Sequence, residues 1–275
     1  MQERKSHKTF DGNTKFWTHE SKATKASMNF STFVPKDGAH NALIWLSGLT
    51  CTEENFITKS GIQALLSETK TMVICPDTSP RSLALPGEDD SYDFGSGASF
   101  YLNARTPGYR DHYQMYDYIN EEIPEILRAE FGVKKMSLFG HSMGGHGALV
   151  IGLKNPERFA SLSAFSPVVN PVNCIWGEKA FKGYLGEQSR DQWKEYDATE
   201  LIKEGFHHPR PIFIDQGTND GFLDEQLLTK NFESACGDSA QDLELHFREG
   251  YDHSYFFIST FLSRHVRHHL DSLNS

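Results

Sequence analysis

The chain has few cysteines, no excess of basic residues and no long apolar run. Its 275 residues include four cysteines, none in a Cys-x-x-Cys pair: Cys51, Cys75, Cys174 and Cys236. Disulfide frameworks are typical of small secreted domains, so we expect these thiols to be unpaired. There are 27 Lys and Arg against 37 Asp and Glu, a net charge of −10. Nucleic-acid binding requires a basic face, so we expect no nucleic-acid partner.

The sequence shows neither a targeting segment nor a membrane segment. No apolar run approaches the ~18 residues that a membrane helix needs. The first eight residues are charged and polar and contain no apolar stretch of a secretory signal. We therefore expect a cytoplasmic protein with no membrane partner.

What the sequence does contain is a series of short apolar runs separated by helical patterns. Continuous apolar runs of this length are typical of strands buried on both faces of a parallel sheet. They occupy residues 41–46, 71–75, 135–139, 161–165 and 211–214, with an alternating run at 243–247. Helical spacing covers residues 54–69, 112–131, 144–154, 224–236 and 254–271. Alternation in the first ~35 residues predicts antiparallel strands there.

This order predicts an α/β fold with a mostly parallel central sheet, antiparallel N-terminal strands and helices on both faces. The length allows about two domains. No linker or repeat interrupts the chain, so residues 1–275 are predicted to form a single domain. The Gly/Ser/Asp-rich stretch 87–99 is predicted to be a loop over a functional face.

A nucleophile motif stands at Gly140-His141-Ser142-Met143-Gly144, which matches Gly-x-Ser-x-Gly. A predicted strand precedes it and a helix start rich in small residues follows. This is the setting of a nucleophile elbow, in which a strained turn exposes the serine hydroxyl. We predict that Ser142 is the nucleophile. The alternative is a glycine-rich turn with an incidental serine.

A serine hydroxyl needs a base, and in elbow enzymes the chain order is Ser, acid, His. His253 follows the last predicted strand and precedes the terminal helix, so we predict that it is the base. His246 alternates within that strand and is expected to be structural. The other histidines are assigned to elbow packing (His141, His146), to a segment before a strand (His207, His208) or to a solvated helix face (His265, His268, His269).

Two carboxylates compete for the role of the acid that orients the base. Asp215 stands at the end of a predicted strand, whereas Asp220 lies in the loop beyond it. We favour Asp220, which can reach an imidazole over the sheet edge, and expect Asp215 to be structural. Asp252 is adjacent to His253, but neighbouring side chains diverge.

Acyl transfer also requires hydrogen-bond donors for the oxyanion. One is expected to be the N–H of Met143, directly after the nucleophile. The other should come from the loop 47–52 after an early strand. We choose the N–H of Leu49 and keep Gly48 as the alternative.

Four separated blocks closely resemble the S-formylglutathione hydrolase (esterase D) family, and the resemblance runs from about residue 7 to the C-terminal helix. Gly48-Leu49-Thr50-Cys51-Thr52 is the most specific part, and the blocks are residues 45–56, 140–149, 215–220 and 250–256. The resemblance implies an α/β-hydrolase fold and a cytoplasmic, typically dimeric enzyme without a cofactor. It implies hydrolysis of S-formylglutathione to glutathione and formate in formaldehyde detoxification, with activity on short-chain carboxyl esters. Its triad falls on Ser142, Asp220 and His253.

The acyl pocket of such an enzyme should be small because the acyl group has one carbon. Trp176 and Phe181 are candidates to narrow it, with a core position as the alternative for Trp176. The resemblance places a reagent-sensitive thiol near the site, which Cys51 would supply; the alternative is a small buried residue. No metal site is expected, and the acidic residues 88–93 are expected to form a solvated loop.

Two other functions are compatible with the same sequence. One is a general carboxylesterase, or an acyltransferase of the mycolyl type, on the same fold. The other is a non-catalytic scaffold. The intact Ser-Asp-His set argues against the scaffold.

Overall fold

The alternating apolar runs form one nine-stranded sheet in the computed structural model, which describes residues 1–275. The strands are β1 Gln2–Thr9, β2 Gly12–Glu20, β3 Ser27–Pro35, β4 Asn41–Leu46, β5 Thr71–Pro76, β6 Lys135–His141, β7 Leu162–Phe165, β8 Ile212–Gly217 and β9 Leu243–Arg248. Their order in space is β1-β2-β3-β5-β4-β6-β7-β8-β9. Strands β1 to β3 pair antiparallel, as does β3 with β5, and the pairs from β5 to β9 are all parallel.

The helices cover both faces of this sheet. They are α1 Glu53–Lys59, α2 Ile62–Leu66, α3 Met115–Asp117, α4 Ile123–Phe131, α5 Met143–Lys154, α6 Ile175–Leu185, α7 Arg190–Trp193, α8 Ala198–Lys203, α9 Thr229–Gly237 and α10 Tyr255–Asn274. Helices α1, α2 and α10 share one apolar cluster, and α4, α5, α6, α8 and α9 share the other. The predicted fold class is confirmed.

Strand β4 shows why its sequence is apolar throughout. Ala42 and Ile44 belong to the larger cluster, whereas Leu43 and Trp45 belong to the smaller one on the opposite face. Successive side chains of a strand point to opposite faces, so a strand covered on both sides needs no polar position. The parallel register carries the carboxyl ends of β4, β6, β8 and β9 to one edge of the sheet.

Several helix boundaries differ from the periodicity. The segment predicted as 54–69 divides into α1 and α2, because Ser60 ends α1 and Gly61 adopts a left-handed φ of 75°. A wide π turn at Tyr118–Glu122 interrupts the segment 112–131. Helices α6, α7 and α8 lie outside the predicted helical segments, and α6 and α8 carry polar residues between their buried positions.

The expectation that the histidines of α10 face solvent is wrong. His265 and His269 are fully buried, and His268 is half-buried. They continue the stripe of Ile258 and Leu262 at intervals of three and four residues, which is the side of the helix that packs on the sheet. The polar ring atoms of His265 and His269 are accommodated because Ser161 and Ser163 lie opposite them, and the ring of His268 contacts the carbonyl of Leu162.

The acidic stretch is not a solvated loop throughout, contrary to expectation. Glu88 is buried, and its carboxylate accepts hydrogen bonds from the N–H groups of Leu83 and Leu85 and from the hydroxyl of Tyr113. Asp93 is also buried and pairs with Lys179. These carboxylates hold the loop together from inside.

Two further features concern the cysteines and the helices. All four cysteines are unpaired, as predicted. None of the helices combines the length and the apolar character that crossing a membrane would require.

Candidate active site

Ser142 occupies a strained turn between β6 and α5. Its φ and ψ are 57° and −119°, outside the regions that ordinary residues prefer. The turn is closely packed: a Cβ on Gly144 would lie 1.9 Å from the carbonyl oxygen of Leu46. Only glycine fits there, which explains the glycine that ends the nucleophile motif. The strand–turn–helix setting predicted from the sequence is present.

Asp220 and His253 are in direct contact. Oδ2 of Asp220 lies 2.6 Å from Nδ1 of His253. The other oxygen, Oδ1, accepts the N–H of Phe222 at 3.0 Å. Both residues follow neighbouring strands, β8 and β9, and the N–H of Asn219 donates to the carbonyl of Tyr251 at 2.9 Å, which ties the two loops together.

The environment keeps Asp220 ionised. Burial by itself would raise the pKa of this carboxyl. The hydrogen bond and the charge of His253, with the N–H of Phe222, outweigh burial and hold the pKa below its ordinary value. A carboxylate in this state can hold one tautomer of the imidazole and stabilise its charged form.

Ser142 and His253 border the same cavity, whose volume is about 300 Å³. The cavity is lined by Gly48, Leu49, Thr50, Cys51, Tyr92, His141, Ser142, Trp176, Phe222, His253, Ser254 and Tyr255. There is no hydrogen bond between Oγ of Ser142 and the imidazole of His253, which bonds Asp220. In enzymes without substrate this contact is often long and tightens only in the complex.

The loop after β4 approaches the elbow closely. A Cβ on Gly48 would lie 3.2 Å from Cβ of Ser142. The N–H of Thr50 is engaged with the carbonyl of Gly97 at 2.8 Å, whereas the N–H of Leu49 has no acceptor within the protein. Met143 is the first residue of α5, so its N–H has no helical partner. Two free donors therefore flank the serine.

Comparison with known proteins agrees with this geometry. The Esterase family matches residues 21–268. The chain is 50% identical to the S-formylglutathione hydrolase of Mus musculus, over 98% of each chain, and 48% identical to that of Arabidopsis thaliana, over 98% of this chain and 96% of the relative. An S-formylglutathione hydrolase structure from Agrobacterium tumefaciens superposes with a TM-score of 0.95 at 41% identity, covering 99% of this chain and 100% of the other.

The chain belongs to the S-formylglutathione hydrolase family. Two of the three residues predicted to line its pocket do so. Trp176 borders the cavity, packs on Phe222 with ring centres 4.8 Å apart, and donates its indole N–H to the hydroxyl of Tyr92 at 3.3 Å. Cys51 also lines the cavity. Burial raises the pKa of its thiol, and the charge of Lys59 offsets only part of this rise.

Phe181, the third candidate, does not line the cavity of this family member. It is fully buried in the larger apolar cluster, beside Phe100 and Trp193. Its position on α6 five residues after Trp176 turns the two side chains to different sides of the helix. Phe181 can therefore affect the site only through the residues that pack between Phe181 and the cavity.

His141 lies against the imidazole of His253, with ring centres 4.3 Å apart. Burial, with the charge of His253, holds the pKa of His141 well below its ordinary value. A neutral ring therefore packs beside His253. The sequence predicts this packing role from the position of His141 next to the nucleophile.

A second Ser-His-Asp chain exists elsewhere in the same fold. Oγ of Ser163 lies 2.8 Å from Nδ1 of His265, whose Nε2 lies 3.3 Å from Oδ2 of Asp215. All three residues are fully buried, and Nε of Arg248 bonds Asp215 at 2.7 Å. This set does not border the cavity of Ser142. Its hydrogen bonds join α10 to β7 and β8, which supports the structural role predicted for Asp215.

Sequence reasoning missed three aromatic residues of the cavity: Tyr92, Phe222 and Tyr255. Each lay near a feature that the sequence marked. Tyr92 is within the predicted functional loop 87–99, Phe222 follows Asp220 by two residues, and Tyr255 follows His253 by two. Residue type alone did not separate them from core aromatics. No group of three or more His, Cys, Asp or Glu side chains is arranged to hold a metal ion.

Proposed function

We propose that this chain hydrolyses S-formylglutathione to glutathione and formate through a formyl-Ser142 intermediate, with side activity on short-chain carboxyl esters. One observation carries the proposal: in a member of the S-formylglutathione hydrolase family, one cavity is bordered by Ser142, by the Asp220-bound His253 and by a free N–H of Leu49. Thioester and ester cleavage both need this combination of nucleophile, base and oxyanion donors.

In the acylation step, Oγ of Ser142 attacks the formyl carbon while Nε2 of His253 accepts the hydroxyl proton. The N–H groups of Leu49 and Met143 bind the oxyanion that forms. Collapse of the tetrahedral intermediate breaks the C–S bond. The departing sulfur takes the proton from His253 and leaves as glutathione.

In the deacylation step, water attacks the formyl ester and His253 accepts its proton. Collapse of the second intermediate returns that proton to Oγ of Ser142 and releases formate. Asp220 keeps its negative charge through both steps, which stabilises the imidazolium of His253 twice per turnover.

The aromatic wall of the cavity fits a small acyl group. Trp176 is held by the hydroxyl of Tyr92 and by the ring of Phe222, and Phe222 in turn packs on His253 with ring centres 5.1 Å apart. The aromatic side chains near the nucleophile are therefore fixed by three contacts that run from Tyr92 to His253. A formyl group loses little by this restriction, whereas a long acyl chain must displace an aromatic ring.

The test compares kcat/KM for S-formylglutathione with kcat/KM for 4-nitrophenyl acetate. We expect the thioester to be the better substrate, and the Ser142→Ala variant to lose both activities while remaining folded by circular dichroism. Equal or lower efficiency on the thioester would favour a general carboxylesterase. A folded wild-type protein that a fluorophosphonate does not label would favour a scaffold.

The proposal extends to a cytoplasmic enzyme that forms a homodimer. Four unpaired cysteines suit a reducing compartment. The homodimer is inferred from the resemblance to the family. Light scattering after size exclusion at micromolar concentration should give twice the 31.1 kDa of the chain. A mass of one chain would contradict the dimer and leave the chemistry untouched.

A further inference from the structure

Lys59, the last residue of α1, lies against a residue that lines the cavity. Its Nζ is 5.3 Å from the centre of the Tyr255 ring, and Tyr255 lines the cavity beside His253 and Ser254. The side chain is exposed, and the ring positions the ammonium by a cation–π contact. A positive charge is therefore held next to one wall of the cavity that Ser142 and His253 border.

This cation differs from two others beside the cavity because it has no carboxylate partner. Arg81, which bonds the carbonyl of Cys51, is paired with Asp77. Lys179, next to Tyr92 through Ser91, is paired with Asp93. No Asp or Glu oxygen lies within salt-bridge distance of Lys59. Its charge remains available to a ligand.

The charge of Lys59 also acts inside the cavity. It lowers the pKa of the Cys51 thiol against the stronger effect of burial, and Cys51 lines the cavity. An extended tripeptide spans about 10 Å, so a glutathione whose sulfur lies at Ser142 reaches the rim with its charged ends. Glutathione carries two carboxylates and one ammonium, and the chain carries −10, so attraction must come from a local cation.

We propose that Lys59 binds a carboxylate of the glutathione leaving group and thereby gives the enzyme its preference for charged over uncharged formyl thioesters. This inference rests on the proposed hydrolysis of S-formylglutathione and names the residue that recognises the part of the substrate remote from the reacting carbon. It makes Lys59 a specificity-determining residue that takes no part in proton transfer.

Such a contact is made equally in the ground state and in the transition state. Losing it should raise KM and leave kcat almost unchanged. For Lys59→Gln we expect KM for S-formylglutathione to rise about 5-fold, and for Lys59→Glu more than about 10-fold. Lys59→Arg keeps the charge and should stay within about 2-fold of wild type. Added NaCl should raise KM of the wild type and have less effect on Lys59→Gln.

The experiment uses two formyl thioesters, S-formylglutathione and the uncharged S-formyl-N-acetylcysteamine, with S-formyl-γ-glutamylcysteinylglycinamide to show which carboxylate is bound. The control is Lys134→Gln, at an exposed lysine that directly precedes β6 and forms no salt bridge. The seven residues of β6 lie between Lys134 and Ser142, so the two Cα atoms are about 26 Å apart. We expect Lys134→Gln and every variant on the uncharged thioester to match wild type.

Different results would overturn the two proposals separately. If the wild type hydrolyses S-formylglutathione but Lys59→Gln and Lys134→Gln have the same KM, the role of Lys59 is wrong and the function stands. If Lys59→Gln weakens both thioesters alike, Lys59 supports the fold of the site and recognises no charge. If the folded wild type cleaves neither thioester, the proposed function fails and this inference fails with it.

Discussion

Oδ2 of Asp220 lies 2.6 Å from Nδ1 of His253, although 33 residues separate them in the chain. Asp215, five residues before Asp220 and within β8, bonds Arg248 and His265 instead. Two carboxylates from one short segment thus belong to two separate histidine networks. Only the network of Asp220 reaches the cavity, which allows their roles to be tested independently.

We predict that Asp220→Asn lowers kcat on S-formylglutathione by about 10⁴-fold with little loss of stability, because an amide cannot stabilise the imidazolium. Asp215→Asn should keep kcat per folded molecule within a few-fold of wild type. It should lower the free energy of unfolding by about 3 kcal/mol, because Arg248 would remain partly buried without its partner. Steady-state kinetics and urea denaturation measure both. Inactivity of folded Asp215→Asn beside an active Asp220→Asn would reverse the assignment.

Ser142→Ala and Ser163→Ala form a matched pair, since each serine belongs to a Ser-His-Asp set. Ser142→Ala should abolish fluorophosphonate labelling and reduce kcat by about 10⁴-fold or more. Ser163→Ala should label normally but melt at a lower temperature, because Ser163 bonds both His265 and His269. Gel fluorescence and a thermal melt distinguish the two. Labelling that survives Ser142→Ala would mean another nucleophile.

The oxyanion loop can be displaced by a single methyl group. In Gly48→Ala the new Cβ would lie 3.2 Å from Cβ of Ser142 and 3.4 Å from Nδ1 of His141, so the loop carrying Leu49 must shift by a few tenths of an ångström. We expect kcat to fall about tenfold with KM nearly unchanged. Gly221→Ala is the control, because a Cβ there meets nothing within 4 Å. Equal activity of the two variants would remove Gly48 and its loop from the oxyanion site.

The sequence predicts the strands and the Ser142, Asp220 and His253 assignments because each depends on local order. Apolar runs mark strands that are covered on both faces. Ser142 directly follows β6, and Asp220 and His253 lie in the loops after β8 and β9. The carboxyl ends of parallel strands meet at one sheet edge, so residues placed after them are brought together by topology alone.

The remaining features depend on contacts between distant segments. The conformation of the acidic loop follows from Glu88 binding Tyr113, and the burial of His265 follows from Ser163 lying opposite it. In the sequence alone, a histidine or a glutamate at these positions looks like a residue of the solvated surface. Only the partner, about 25 residues away in one case and about 100 in the other, makes burial favourable.

The width of the acyl site should depend on Trp176. Trp176→Ala removes the indole between Tyr92 and Phe222, and we expect kcat/KM for 4-nitrophenyl hexanoate relative to acetate to rise about tenfold. Trp193→Ala is the control for lost bulk, because Trp193 is buried in α7 and does not border the cavity. It should reduce stability without changing the preference. An unchanged acyl preference in Trp176→Ala would assign the indole to packing alone.

Acidification should destabilise the fold before the carboxylates titrate. Burial lowers the pKa of His146 and of His265 to about 4, and the pKa of His141 and His269 falls well below the ordinary value. The unfolded chain binds protons on these rings from about pH 6.5 downwards, whereas the folded chain does not. The contribution of each ring is therefore intact above pH 6.5 and is lost as the pH falls towards 4.

For each of His146 and His265 the loss at pH 5 is about 2 kcal/mol. Urea denaturation at pH 7.5, 6 and 5 should show the free energy of unfolding falling steadily. Replacing His146 by Gln should reduce the slope of the unfolding free energy against pH by an amount equivalent to about one bound proton. His207→Gln, at an exposed position, should leave the slope unchanged. A free energy of unfolding that is constant from pH 7.5 to 5 would contradict the neutral state of these buried rings.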